Sequence, residues 1–148
     1  MSFLHLHLLL NHFPVIGSII AIGLLAFALI KKNGPVAKVS LGLFVILGVM
    51  SLIVFFTGEP AEEAIEHLPG FSESITEKHE EAALAATIAL ASLGAFSLGI
   101  LTWFRRREVP RWLTLGTLML SLLSGTLMGY TAMLGGQVRH TEVRSSTR

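Results

Sequence analysis

Six histidines and a run of glutamates are the residues of this 148-residue chain whose types could do chemistry. His5, His7 and His12 stand near the start, His67 and His79 lie in a polar stretch at mid-chain, and His140 follows the last apolar stretch. Eight of the ten acidic residues, all glutamates, fall between Glu59 and Glu81. Imidazole suits zinc, copper, iron or haem, and carboxylate suits the harder members of that set. If the fold collects these groups, the chemistry on offer is coordination of a transition metal or of haem iron.

His79 is the strongest candidate. On a helix it shares a face with Ala83, Ala86, Leu90 and Ser97, a small-residue face that belongs inside a bundle. An inward ionisable residue near membrane depth points to function; the alternative is a histidine hydrogen-bonded to a loop or a helix end. Glu63 and His67, one helical turn apart, could share a metal, with Glu80 as a further ligand. Glu62, Glu63 and Glu66 would equally form the solvated face of a surface helix. His12 sits in Asn11-His12-Phe13-Pro14, where Asn11 is placed to cap a helix and Pro14 suits its first turn. Its projection falls away from Gly17, Ala21 and Ala28. His5 and His7 alternate with leucine, as in a segment lying in a membrane interface.

Four apolar stretches must position these groups: residues 13–30, 39–57, 81–104 and 112–134. Each has about the ~20 residues that cross a hydrocarbon core, and none carries charge in its interior. The mean hydropathy of +0.68 and the hydrophobic fraction of 52% agree. Backbone groups in a bilayer must bond internally, so the stretches are expected to be helices, and the strict alternation of a membrane barrel is missing. The expected fold is all-α: one domain over residues 1–148, an antiparallel bundle of four transmembrane helices.

Seven of the eleven basic residues lie in two short connections, Lys31, Lys32 and Lys38 in one and Arg105, Arg106, Arg107 and Arg111 in the other. The positive-inside rule puts both connections on the cytoplasmic side of a bacterial or archaeal inner membrane, with both termini and the 58–80 loop outside. The first stretch lacks a preceding positive charge and a small-residue cleavage site, so it reads as a retained helix rather than a signal peptide.

Small residues give the helices close contact surfaces. Ala86, Gly94 and Ser97 are among many on the third stretch, and Ser121, Gly125 and Gly129 recur at four-residue spacing on the fourth. These stripes serve the bundle or an oligomer. In the outer loop, Pro60 opens and Pro69-Gly70 closes a short interfacial helix whose apolar positions are Ala61, Ala64, Ile65 and Leu68. Ser74 and Glu77 match a capping box that starts the third helix outside the membrane. The chain after Gly135-Gly136 reads as a frayed polar tail, with Arg139, Arg144 and Arg148 available to pair with the acidic loop.

Several function classes are disfavoured. With no cysteine there is no disulfide, thiolate site, iron–sulfur cluster or c-type haem. No histidine lies in the inner half of a span, which argues against a two-haem electron wire across the bilayer. Charge-free span interiors argue against a pump or coupled transporter. The Glu-x-x-His pattern of di-iron bundles is missing. Phosphate loops and Ser/His/Asp sets are also missing, and nothing points to nucleic acid. No catalytic residue stands out. The Arg105–Arg107 run follows from topology, with anionic lipid contact a further use.

His7, then His12-Phe13-Pro14, the Thr57-Gly58 exit of the second stretch and His79 at the third resemble a family of uncharacterised prokaryotic four-helix membrane proteins, a domain of unknown function. The family pattern commonly has proline after the first histidine, where this chain has Leu8. The resemblance implies the four-helix fold and His7, His12 and His79 as a ligand set; it implies no reaction. Two functions follow as expectations. One is an electron-transfer or metal-handling module for a periplasmic partner. It would bind haem b through His79 and His7 or His12, or a metal ion with Glu63, His67 or Glu80 completing the shell. The other is a non-catalytic subunit docked in a larger membrane complex.

Overall fold

The computed structural model describes residues 3–67 and 69–139. Among them there are helices and no strands: α1 (Phe3–Leu10), α2 (His12–Lys31), α3 (Gly34–Phe56), α4 (Gly58–Glu63), α5 (Glu73–Trp103) and α6 (Arg111–Arg139). Four helical runs are long and apolar enough to cross a membrane: Leu4–Lys31, Gly34–Phe56, Glu73–Trp103 and Arg111–Val138. The shortest has 23 residues, about 35 Å at the α-helical rise. That exceeds a hydrocarbon core of about 30 Å.

α3 packs on α2 and α5, and α6 packs on α5 and α2, so the four long helices close a ring. The inside and outside are reversed relative to a water-soluble protein. Ile19, Ile30, Ile46, Val49, Ile88, Leu98 and Leu123 are exposed, whereas Ser18, Ser40, Ser97, Thr117 and Ser121 are buried beside Ala21, Leu25, Phe44 and Leu90. An apolar surface of that extent needs a nonaqueous partner. Several buried hydroxyls bond the backbone of their own helix, whereas Ser18, Ser97 and Ser124 Oγ have no partner among the described residues. Thr117 Oγ1 donates to Leu113 O at 2.8 Å, and Ser121 Oγ to Leu118 O at 2.8 Å. Ser40 Oγ instead reaches across to Ala21 O of α2 at 2.7 Å, tying two helices together.

The closest approach is between α3 and α5. A Cβ on Gly94 would lie 2.9 Å from Phe44 O and 3.3 Å from Gly48 Cα, and one on Gly48 would lie 3.1 Å from Leu90 O. Backbone rests on backbone there, which in lipid is a main source of helix association. On α6 the small-residue stripe divides. Ser121 is buried, a Cβ on Gly125 would meet Ile22 Cδ1 at 2.9 Å, and Gly129 has nothing within 4 Å.

The connections explain the helix ends. Lys32 takes the left-handed conformation (φ 51°) and its N–H bonds to Ala28 O, closing α2. Asn33 Oδ1 then accepts from Val36 N at 3.1 Å and opens α3, with Pro35 in the first turn. At the same end Lys38 Nζ donates to Phe104 O at 3.0 Å, Arg105 O at 3.4 Å and Arg107 O at 2.8 Å. These three carbonyls follow the last residue of α5, so Lys38 holds the turn that ends that helix against the start of α3.

Four local expectations are corrected. Asn11 does not cap α2: it is in the right-handed helical region, makes no side-chain cap bond, and its N–H bonds to His7 O at 2.9 Å. α1 therefore runs almost without interruption into α2. α5 begins at Glu73 with extended Ser72 before it, so Ser74 and Glu77 lie inside the helix and form no capping box. α4 ends at Glu63 and residues 64–67 are turns, so the loop helix is six residues long and stops short of Pro69. α6 continues through Gly135-Gly136 instead of fraying there. Leu68, His140, Arg144 and Arg148 lie outside the described residues.

The Gly48–Gly94 contact has a direct test. Gly94→Ala should destabilise the detergent-solubilised protein by about 1–3 kcal/mol, the usual range for overpacking. Gly99→Ala, at a position with nothing within 4 Å, should leave stability unchanged or slightly raised. Thermal unfolding of the two variants against the parent distinguishes them, and equal effects would refute the close packing.

Candidate functional site

The site is assembled where α1 packs against α4 at one end of the long helices. α4 packs on α1 and α3. His7 Nδ1 lies 3.0 Å from Thr57 Oγ1, and that hydroxyl donates its own proton to Val54 O at 2.7 Å. With its one proton used, Thr57 Oγ1 can only accept, so His7 Nδ1 is the donor. On α5, His79 Nδ1 lies 3.1 Å from the carbonyl of Thr131 on α6. A carbonyl accepts only, so Nδ1 of His79 carries the proton too. When neutral, a ring protonated in this way carries its free lone pair on Nε2. Metal-bound histidines are commonly held this way, with the second nitrogen donating to a backbone or side-chain acceptor.

His7 and His79 are half-buried and lie within electrostatic reach of each other. Glycine makes the room. A Cβ on Gly135 would stand 3.0 Å from Cε1 of His79, and one on Gly58 would stand 3.8 Å from Cε1 of His7. The face that carries His79 inward also buries Ala86, Leu90 and Ser97. α5 thus points His79 at α6, while α1, continuing from α2, packs against α4 and brings His7 to Thr57 at the end of α3.

The remaining histidines and glutamates lie elsewhere. His12 is exposed, its Nδ1 bonded to Leu8 O at 2.9 Å within its own helix. Ala21 and Ala28 are buried on the opposite side of that helix. His5 is exposed on α1. His67, beyond the end of α4, is exposed and pairs only with its neighbour Glu66, at 3.2 Å. Glu63 and Glu80 are exposed. Among the described residues no three His, Asp or Glu side chains gather as a metal-ion site. The expected shell of His79, His12, His7, His67, Glu63 and Glu80 is therefore not formed. α4 is too short to hold Glu63 and His67 on one face.

Glu80 has a different partner. Glu62 of α4 shares a proton with it, and this hydrogen bond is the main reason the Glu62 carboxyl is pushed up to about 7. Partial burial and the charges of Glu80, Glu66 and Glu59 act in the same direction. The mouth thus combines neutral imidazole lone pairs with carboxylates that favour a cation.

Sequence reasoning passed over Thr131, Gly135 and the Glu62–Glu80 pair. A backbone carbonyl has no sequence signature, and a glycine facing a ring is not distinguishable from one facing lipid. No known protein family, curated protein or solved structure matches the chain.

The Glu62–Glu80 bond makes stability depend on pH. The folded value of Glu62 lies above the ordinary 4.5, so the contribution is complete below that value and is lost as pH rises through about 7. Glutamine donates at every pH. The melting temperature of Glu62→Gln relative to the parent should therefore rise between those limits, and a constant difference would show that no proton is shared.

Proposed function

We propose that the chain is a multi-pass protein of a prokaryotic cytoplasmic membrane that holds a b-type haem or a transition-metal ion through His7 and His79 at its outer mouth. It would serve as an electron-transfer or metal-handling module for a periplasmic partner. The observation that carries this reading is the half-buried imidazole pair, each ring fixed through Nδ1 with a lone pair on Nε2. Haem iron takes only two axial ligands from protein, so a pair suffices. An ion would complete its shell from cargo or partner. The bound centre would supply one-electron chemistry or a cargo site. The chain's own residues orient the two imidazoles and surround them with negative charge.

The reading includes an arrangement in the membrane. Two residues, Lys32 and Asn33, join α2 to α3, and residues 104–110 join α5 to α6. Helices that pack side by side across such short turns run antiparallel. The basic residues at those turns favour the cytoplasmic side, placing both termini outside and α4 in the outer interface. The resemblance to uncharacterised prokaryotic four-helix proteins is consistent with this scheme, with His12 of its ligand set held in reserve.

A second reading, a non-catalytic subunit of a larger complex or a homo-oligomer, is favoured by glycines that no helix of the chain uses. Gly99, Gly116 and Gly129 are exposed with nothing within 4 Å, as helix-docking positions would be.

A reduced-minus-oxidised visible spectrum decides between them, taken on protein purified from cells supplied with haem, together with a metal analysis. The cofactor reading predicts a low-spin bis-histidine haem band or a stoichiometric metal. Either should be lost in His7→Ala and His79→Ala and kept in His12→Ala. A featureless spectrum with no bound metal would overturn it in favour of the subunit reading.

A further inference from the structure

The end of the bundle opposite the histidines has a recess of about 550 Å³ between the start of α3 and the α5–α6 connection. Gly34 and Pro35 form one wall, and Arg105, Arg106, Arg107 and Glu108 form the other, with Lys38 between them. Lys38 is already committed, because its ammonium donates to three carbonyls of the connection. Those bonds hold the backbone of the connection against the start of α3. All three arginines are exposed, and no ion pair engages them among the described residues. Glu108 lines the same recess without pairing with them.

Two tryptophans fix the depth of this recess. Trp103 ends α5 at 82% exposure, and Trp112 stands in the first turn of α6 at 71%. Exposed tryptophans at both ends of one connection mark the boundary between hydrocarbon and headgroups. The three arginines lie between them in sequence, which would put their guanidiniums near the level of lipid phosphates. Guanidinium binds phosphate oxygens bidentately, and basic recesses between helices on the inner side suit anionic headgroups. The topology rule calls for positive charge at this end. It does not call for a recess, or for a lysine spent on holding the loop open.

We propose that this recess is a binding site for the phosphate of an anionic membrane lipid, with Arg105, Arg106 and Arg107 as its ligands and Lys38 as the residue that positions them. The inference rests on the membrane reading of the four long helices and is independent of the histidine site. Glu108 opposes the anion, limiting affinity and giving the site a second handle. Lys31 and Lys32 are exposed at the same end but do not line the recess. Changing both removes twice the charge of a single arginine variant, which makes them a stringent control.

The experiment is native mass spectrometry of the detergent-purified protein titrated with phosphatidylglycerol or with phosphatidylcholine of the same acyl chains. Phosphatidylglycerol should be retained preferentially. Each arginine changed to glutamine should weaken that retention about fivefold, the worth of one basic residue at an anionic surface. Glu108→Gln should strengthen it, and Lys31→Gln with Lys32→Gln should leave it nearly unchanged. Equal retention of the two lipids would overturn the proposal, as would equal losses from the lysine and arginine variants. Competition by millimolar glycerol phosphate would also overturn it, by revealing a site for a soluble anion. Alkaline carbonate extraction of the native membranes tests the underlying reading separately: release of the chain would sink the membrane assignment itself.

Discussion

Gly48 and Gly94 let the backbones of α3 and α5 touch, and the geometry at both ends of the bundle depends on that contact. α3 holds its neighbours at three levels. Near its start, Lys38 gathers three carbonyls of the α5–α6 connection. At its middle, the paired glycines set the helix separation. Just past its end, Thr57 anchors the imidazole of His7. A side chain at either glycine would push α5 outward, moving His79 relative to the α1 segment that carries His7. Lipid supplies no hydrophobic force to hold the helices together, so this steric fit has to do so.

The same logic explains the interior. Hydroxyl groups are the polar side chains that an apolar medium tolerates best, because a helix can satisfy them on its own carbonyls. Thr117 and Ser121 do this. Ser40 spends its proton on α2 instead, which makes it a link between helices. Charged groups are left to the two ends, where water or headgroups can solvate them. One end is acidic and carries the half-buried imidazoles; the other is basic and flanked by tryptophans. That polarity ties the two candidate sites to opposite faces of a single bundle.

Much of this was legible in the residues, and the failures have identifiable causes. The apolar stretches gave the four long helices because length and composition alone decide that question. His79 was correctly directed inward by its spacing to Ala86, Leu90 and Ser97. Local signals at helix ends were less reliable. Ser74 and Glu77 had the right spacing for a capping box, but extended Ser72 starts the helix two residues earlier. Gly135-Gly136 resembles a stop signal, yet both lie within α6, and the missing side chain of Gly135 leaves the space that His79 occupies. The Glu63 and His67 part of the expected metal shell depended on a loop helix reaching Pro69. When that helix ends at Glu63, His67 turns to solvent and the set disperses. The acceptors that orient His7 and His79 were invisible because one is a backbone carbonyl and the other a threonine that looked like a helix terminator.

The central claim is that His7 and His79 are both protonated on Nδ1 and present Nε2 lone pairs at one mouth. Nitrogen-15 NMR of the histidine rings in nanodiscs, with resonances assigned through His7→Gln and His79→Gln, reads the tautomer directly. The account predicts a protonated Nδ1 and a bare Nε2 for both rings in the ligand-free protein near neutral pH. A proton on Nε2 of either ring would contradict it, since that lone pair would then be unavailable for coordination.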